Sequence, residues 1–90
     1  MTYKVLLSPH AIRNYKKLST EVKEQIQDAI NSLAHNPVSG SKIKRLRGRL
    51  KEYYRSRSGD YRIVYTVDRD SNTVFVDYIQ HRRDVYRDSE

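Results

Sequence analysis

The chain contains no cysteine. A disulfide framework and a zinc–thiolate site are therefore excluded, and the composition accords with a reducing compartment. Its three histidines, His10, His35 and His81, are scattered along the sequence, so no metal site is expected. Long apolar runs are also missing. None approaches the ~20 residues needed to cross a bilayer, and Met1-Thr2-Tyr3-Lys4 lacks the apolar core of a secretion signal. There is no glycine-rich phosphate loop, no Ser-His-Asp arrangement, no internal repeat and no low-complexity segment. These absences lead to the expectation of a soluble, cytoplasmic protein with no membrane association, no metal and no cofactor. Ninety residues are expected to form one domain, 1–90, around a modest core. Hydrophobic residues make up 37% of the chain, polar for a globular protein but not disordered, and eight tyrosines supply part of the apolar mass.

What is present is positive charge, concentrated in one place. Nine of the 18 basic side chains and two of the 11 acidic ones lie between Lys42 and Arg62, a local net of +7. The other 69 residues balance, nine against nine, so this stretch carries the whole formal charge of +7. A field so localised draws a polyanion to one face of a molecule. Tyr53, Tyr54 and Tyr61 in the same stretch can stack on bases, which points to nucleic acid, and to RNA before DNA.

The hydrophobic pattern predicts the elements. Tyr3 to Leu7 reads as a strand. Ser8-Pro9 is a helix start, with Ser as N-cap and Pro at the first helical position, and Ala11, Ile12, Tyr15 and Leu18 follow at helical spacing. Ser19-Thr20 offers a second cap. Val22, Ile26, Ala29, Ile30 and Leu33 form a 3.6-period stripe that Asn36-Pro37 ends. From Ile43 the period becomes two, and a single strand interrupted by a bulge at Gly48 is expected. Arg45, Arg47, Arg49, Lys51, Tyr53, Arg55 and Arg57 all occupy odd positions, which predicts one almost wholly cationic face.

Ser58-Gly59-Asp60-Tyr61 predicts a hairpin with Gly59-Asp60 at its centre. That register sets Arg57 opposite Arg62, Arg55 opposite Val64 and Tyr54 opposite Tyr65, with Tyr61, Ile63, Tyr65 and Val67 on the core face. After a polar turn at Asp68–Asn72, the last strand, Thr73 to Gln80, is expected to pair Val67 with Val74, Tyr65 with Val76 and Ile63 with Tyr78, bringing Arg62 to Ile79. His81 to Arg87 is expected to form a short terminal helix. The fold class is α+β, order β-α-α-β-β-β(-α), with an antiparallel sheet packed against an N-terminal helical hairpin.

Four segments then carry a resemblance: Leu46-Arg47-Gly48, Tyr53-Tyr54-Arg55-Ser56-Arg57, Gly59-Asp60-Tyr61-Arg62-Ile63-Val64-Tyr65 and His81-Arg82-Arg83-Asp84-Val85-Tyr86, with Ser8, Ala11, Tyr15 and Leu18 ahead of them. Their order and spacing resemble the RelE/ParE family of toxins from type II toxin–antitoxin pairs. The RelE branch is favoured because basic and aromatic groups cluster as a nuclease needs them. The resemblance implies a ribosome-dependent mRNA endonuclease that uses the 2′-hydroxyl as nucleophile and so inhibits translation. It also implies a cognate RelB-like or other antitoxin, with the ribosome and mRNA as further partners and a higher-order toxin–antitoxin complex as one form of assembly.

Carried over by position, the family's catalytic basic residues fall on Arg55, Arg62 and Arg82, and its tyrosine on Tyr86. Lysines used by some members fall on Tyr53 and Arg55. Arginine does not give up its proton, so His81, with Tyr86 second, is nominated for proton transfer. Arg45, Arg47, Arg49, Lys51, Tyr53 and Arg57 are expected to contact RNA. Two other readings stay open at this level: a ParE-like gyrase inhibitor without nuclease activity, and a catalytically degenerate RNA-binding or antitoxin-bound module. One fold carries all three.

Overall fold

The computed structural model describes residues 2–46 and 53–83. The chain runs β1 (Lys4–Leu7), α1 (Pro9–Lys16), α2 (Thr20–His35), β2 (Ile43–Leu46), β3 (Tyr53–Ser58), β4 (Tyr61–Asp68) and β5 (Thr73–His81). Both helices start as their caps require. Ser8 Oγ accepts from the Ala11 N–H at 3.0 Å, and Ser19 Oγ accepts from the Val22 N–H at 3.3 Å. Pro9 opens α1, where its missing N–H leaves no bond unmade.

The five strands form one sheet in the order β1-β5-β4-β3-β2. Three neighbouring pairs are antiparallel, but β1 runs parallel to β5, with Val5 beside Val74 and Leu7 beside Val76. The sheet is thus mixed, which corrects the all-antiparallel expectation. The helical segment between β1 and β2 returns the chain over one face and lets the first strand lie at the far edge.

The β3–β4 hairpin has the expected register: Arg57 faces Arg62, Arg55 faces Val64 and Tyr54 faces Tyr65. Gly59 takes φ 58° and Asp60 does not go positive, the pattern of a type II′ turn, whose twist suits a two-residue hairpin. Two expectations fail nearby. Ile43 to Arg57 is not one bulged strand: β2 and β3 are separate and antiparallel. Reversal pairs odd with even positions, so Arg45 lies opposite Tyr54, on the helix side, while Lys44 lies opposite Arg55. Arg45 therefore does not share a face with Arg55 and Arg57. Arg47, Arg49 and Lys51 lie outside the described residues.

The second failure is at the other edge of β4. The register follows expectation at Val67–Val74 and Tyr65–Val76, then shifts between Val64 and Tyr65, so that Ile63 meets Ile79 and Arg62 meets Gln80. Asp77 is the extra residue of this bulge. The Ser8 hydroxyl donates to the Asp77 carbonyl at 2.6 Å, and Asn14 Oδ1 accepts from the Ile79 N–H at 3.0 Å. Helix α1 thereby covers the β5 edge where β1 has ended. The bulge turns Ile79 into the core, where it is 5% exposed. Arg82 and Arg83 begin a helical turn, and the rest of the expected terminal helix lies outside the described residues.

Both helices cover one face of the sheet. Ala11, Ile26, Ile30 and Leu33 pack against Tyr54, Ile63, Tyr65, Val74, Val76 and Ile79. Each fully buried aliphatic side chain of this set contributes roughly 1.5–3 kcal/mol. Tyr54 and Tyr65 stack with centroids 5.8 Å apart. The buried Tyr65 hydroxyl donates to the Pro37 carbonyl at 2.6 Å, which fastens the loop after α2 to the sheet. Burial, and secondarily Tyr54, pushes the Tyr65 phenol above its ordinary range.

Tyr65→Phe is expected to cost about 1–2 kcal/mol in urea unfolding, because the Pro37 carbonyl loses its donor. The raised Tyr65 pKa favours the neutral phenol in the folded state. Its contribution is complete below the unfolded value of about 10 and is lost as pH rises above it. Wild-type stability should therefore decline above about pH 10 more steeply than that of Tyr65→Phe.

Candidate functional site

The sheet face away from the helices is where the charge gathers. Tyr54, Ser56 and Ser58 of β3 point inward and are buried, so Tyr53, Arg55 and Arg57 must point outward. On β4, Ile63 and Tyr65 are inward, which sends Arg62 and Val64 outward. The hairpin register then sets Arg57 beside Arg62, with Arg55 one row away. Arg82 comes to the same place from the end of β5.

These residues form a cleft of about 300 Å³ lined by Arg55, Arg57, Gly59, Asp60, Tyr61, Arg62 and Arg82. Arg62 Nε is fully shielded from solvent at its base. Burial, then repulsion from Arg57 and Arg62, holds Arg55 below the usual guanidinium range. The group remains protonated at neutral pH, but the direction shows a site crowded with like charge. Such a site accepts a dianion readily, since an incoming phosphate removes the mutual repulsion and offers oxygens to planar donors.

Arg82 is held by the turn. Its backbone N–H donates to the Asp60 carbonyl at 2.7 Å, and its Nε lies 3.7 Å from Asp60 Oδ1. Both side chains are largely exposed, 72% and 64%, so the ion pair adds little stability. Its effect is to set where Arg82 points. Asp60 is the one carboxylate among the described residues that line the cleft.

A larger hollow of about 480 Å³ lies on the other side, between α2 and the β2–β3 edge. Serine hydroxyls and the flank of α2 make most of its wall, and Lys42 and Arg57 are its cations among the described residues. The smaller cleft gathers four guanidinium groups and is the better site for a phosphodiester.

The cleft brings together four nominated residues, Arg55, Arg57, Arg62 and Arg82. His81 is not on its wall. The imidazole meets the Tyr61 ring edge-on, with centroids 4.9 Å apart, and its Nδ1 accepts from the Arg83 N–H at 3.1 Å. Tyr53 is outward but farther along β3, opposite Thr66. Tyr86 lies outside the described residues. Sequence reasoning missed Asp60 as a member of the site, although its position inside the turn between Arg57 and Arg62 was the available signal. No group of three or more potential metal ligands occurs among the described residues.

Comparison with known proteins identifies relatives along nearly the whole chain. Residues 5–86 match the family described as the ParE toxin of the type II toxin–antitoxin system parDE. The chain is 31% identical over 88 residues to toxin RelG of Mycobacterium tuberculosis, covering 97% of this chain and 99% of that protein. Among solved structures it is similar to the RelBE2 toxin–antitoxin complex of the same organism, at 28% identity and TM-score 0.80, covering 91% of this chain and 100% of that one. The RelE–RelB complex of Pyrococcus horikoshii is similar at 25% identity and TM-score 0.79, over 91% and 97% of the two chains.

The crowding of guanidinium groups predicts a measurable cost. Arg57→Gln should raise stability at low ionic strength by about 0.5 kcal/mol, discounted for solvent screening. The gain should shrink as salt is added. Denaturant titrations at two salt concentrations check this, and an unchanged or salt-independent difference would contradict the electrostatic reading of the cleft.

Proposed function

The chain belongs to the RelE/ParE toxin family of type II toxin–antitoxin systems, and on that footing we propose that it is a ribosome-dependent mRNA endonuclease. The observation that carries this reading is the convergence of Arg55, Arg57, Arg62 and Arg82 on one cleft. In the reaction, the 2′-oxygen bonds to the adjacent phosphorus, the bond from phosphorus to the 5′-oxygen breaks, and a 2′,3′-cyclic phosphate remains. A base removes the 2′-hydroxyl proton, and an acid gives one to the leaving 5′-oxygen. The transition state carries more negative charge on the phosphoryl oxygens than the substrate does. Fixed cations therefore stabilise it preferentially.

Arg62 and Arg55 serve the non-bridging oxygens, and Arg82 serves the leaving side. Arg57 and Tyr53 guide the flanking strand. Proton transfer belongs to the C-terminal segment that carries His81 and Tyr86. With Nδ1 accepting from the Arg83 N–H, Nε2 is the His81 ring nitrogen left to meet the substrate. None of the cleft arginines can act as the base, so the ribosome is assigned the task of orienting the 2′-hydroxyl for attack.

Solved relatives include RelB–RelE complexes, which supports a RelB-like antitoxin as this chain's partner, one that covers the cationic cleft. No helix among the described residues is long and apolar enough to cross a membrane, and translation places the proposed target in the cytoplasm.

The match to a ParE description favours gyrase inhibition as the second reading. Programmed ribosomes incubated with the protein separate the two. Message cleavage is expected, and Arg62→Ala should slow it about 10²–10³-fold. Absence of cuts, together with gyrase-dependent DNA breaks that persist in Arg62→Ala, would replace the nuclease reading with the second one.

A further inference from the structure

Helix α2 reaches the β3–β4 turn through Gln25. Gln25 Nε2 donates to Ser58 Oγ at 3.2 Å, and Ser58 is buried at the end of β3. The next residue, Gly59, lies against the same amide. A Cβ built there would overlap Gln25 Nε2, and its φ of 58° is one that other residues rarely adopt. Asp60 follows, and both its carbonyl and its carboxylate face Arg82. A continuous series of contacts therefore runs from the helix layer, through the turn, to one wall of the arginine cleft.

We propose that Gln25 is a positioning residue for Arg82, acting through Ser58, Gly59 and Asp60. The proposal rests on the nuclease reading for its effect on rate, but its geometric content does not. Arg55, Arg57 and Arg62 emerge from paired strands, so their backbones are fixed by the ladder. Arg82 follows the last residue of β5 and is attached to Asp60 through its backbone N–H and its side chain. An exposed cation on such a short support is oriented only as well as the turn beneath it. Gln25 is the described helical residue that grips this turn by a side-chain hydrogen bond. A glutamine on an exposed helix face is ordinarily replaceable at little cost, so a loss of rate on its removal reports the relay.

The test uses the full chain with programmed ribosomes and compares Gln25→Ala, Gln25→Glu, Asp60→Asn, Arg82→Ala and the double variant of Gln25→Ala with Arg82→Ala. Gln25→Ala should retain the wild-type thermal midpoint within a few degrees while single-turnover cleavage falls roughly tenfold or more. Gln25→Glu, which can accept from the Ser58 hydroxyl, should recover most of the rate. In the Arg82→Ala background, Gln25→Ala should cost nothing further, because the group it orients is gone.

Equal losses in both backgrounds, or no loss in either, would overturn the proposal. A second measurement is independent of activity: the Arg82 Nε–H resonance of the free protein should shift or broaden in Gln25→Ala and Asp60→Asn. If wild type cleaves nothing and that resonance still responds, the positioning stands while the nuclease reading falls. If the resonance is unmoved by Gln25→Ala, the positioning falls whatever the activity.

Discussion

Two guanidinium groups held opposite each other across a hairpin repel, and nothing in their own chemistry keeps Arg57 and Arg62 together. What keeps them is the other side of the same strands. Alternation forces Tyr54, Ser56 and Ser58 inward when Arg55 and Arg57 point outward, and Ile63 and Tyr65 inward when Arg62 points outward. Burial of that inner set under α1 and α2 fixes a register that the outer set would not choose. A shift of one residue would exchange the faces and place arginines in the core. The type II′ turn at Gly59-Asp60 holds the same register at its closed end. The site is thus a strained surface maintained by an unstrained core, a common trade between stability and function.

The hairpin was legible in the sequence because its signals are local and agree with one another. A Gly-Asp turn, two alternating flanks and a consistent set of inward apolar residues leave little freedom. The caps at Ser8 and Ser19 were legible for the same reason. The split between β2 and β3 was not. Period two continues through Arg45, Arg47, Arg49 and Lys51 as though the chain never reversed, so alternation gave no sign that Arg45 would end on the opposite face from Arg55. Alternation reports direction relative to a strand's own axis and is blind to a reversal between strands.

Long-range features were equally hidden. The parallel partnership of β1 with β5 has no local cue, since the two segments are separated by the rest of the fold. The bulge at Asp77 depends on Ser8 and Asn14, residues of another element, satisfying backbone groups that a regular ladder would have paired. In the site, the arginines were legible as charge and as family pattern, but their supports were not. Gln25 reads as an ordinary polar residue on a helix surface, and Asp60 as a turn former. His81 was nominated for its titration range, a property of the residue type. Its place beside Tyr61 is a property of the bulged register.

The partnership of β1 and β5 also sets an order of events at birth. Ser8 bonds to Asp77 across 69 residues of chain, and synthesis proceeds from the N-terminus. The first strand therefore waits, its edge unmatched, until almost all of the sheet has been made. Contacts of such separation are slow to form. The nascent chain spends that interval as an incomplete fold, open to capture by whatever strand or chaperone reaches its edge first.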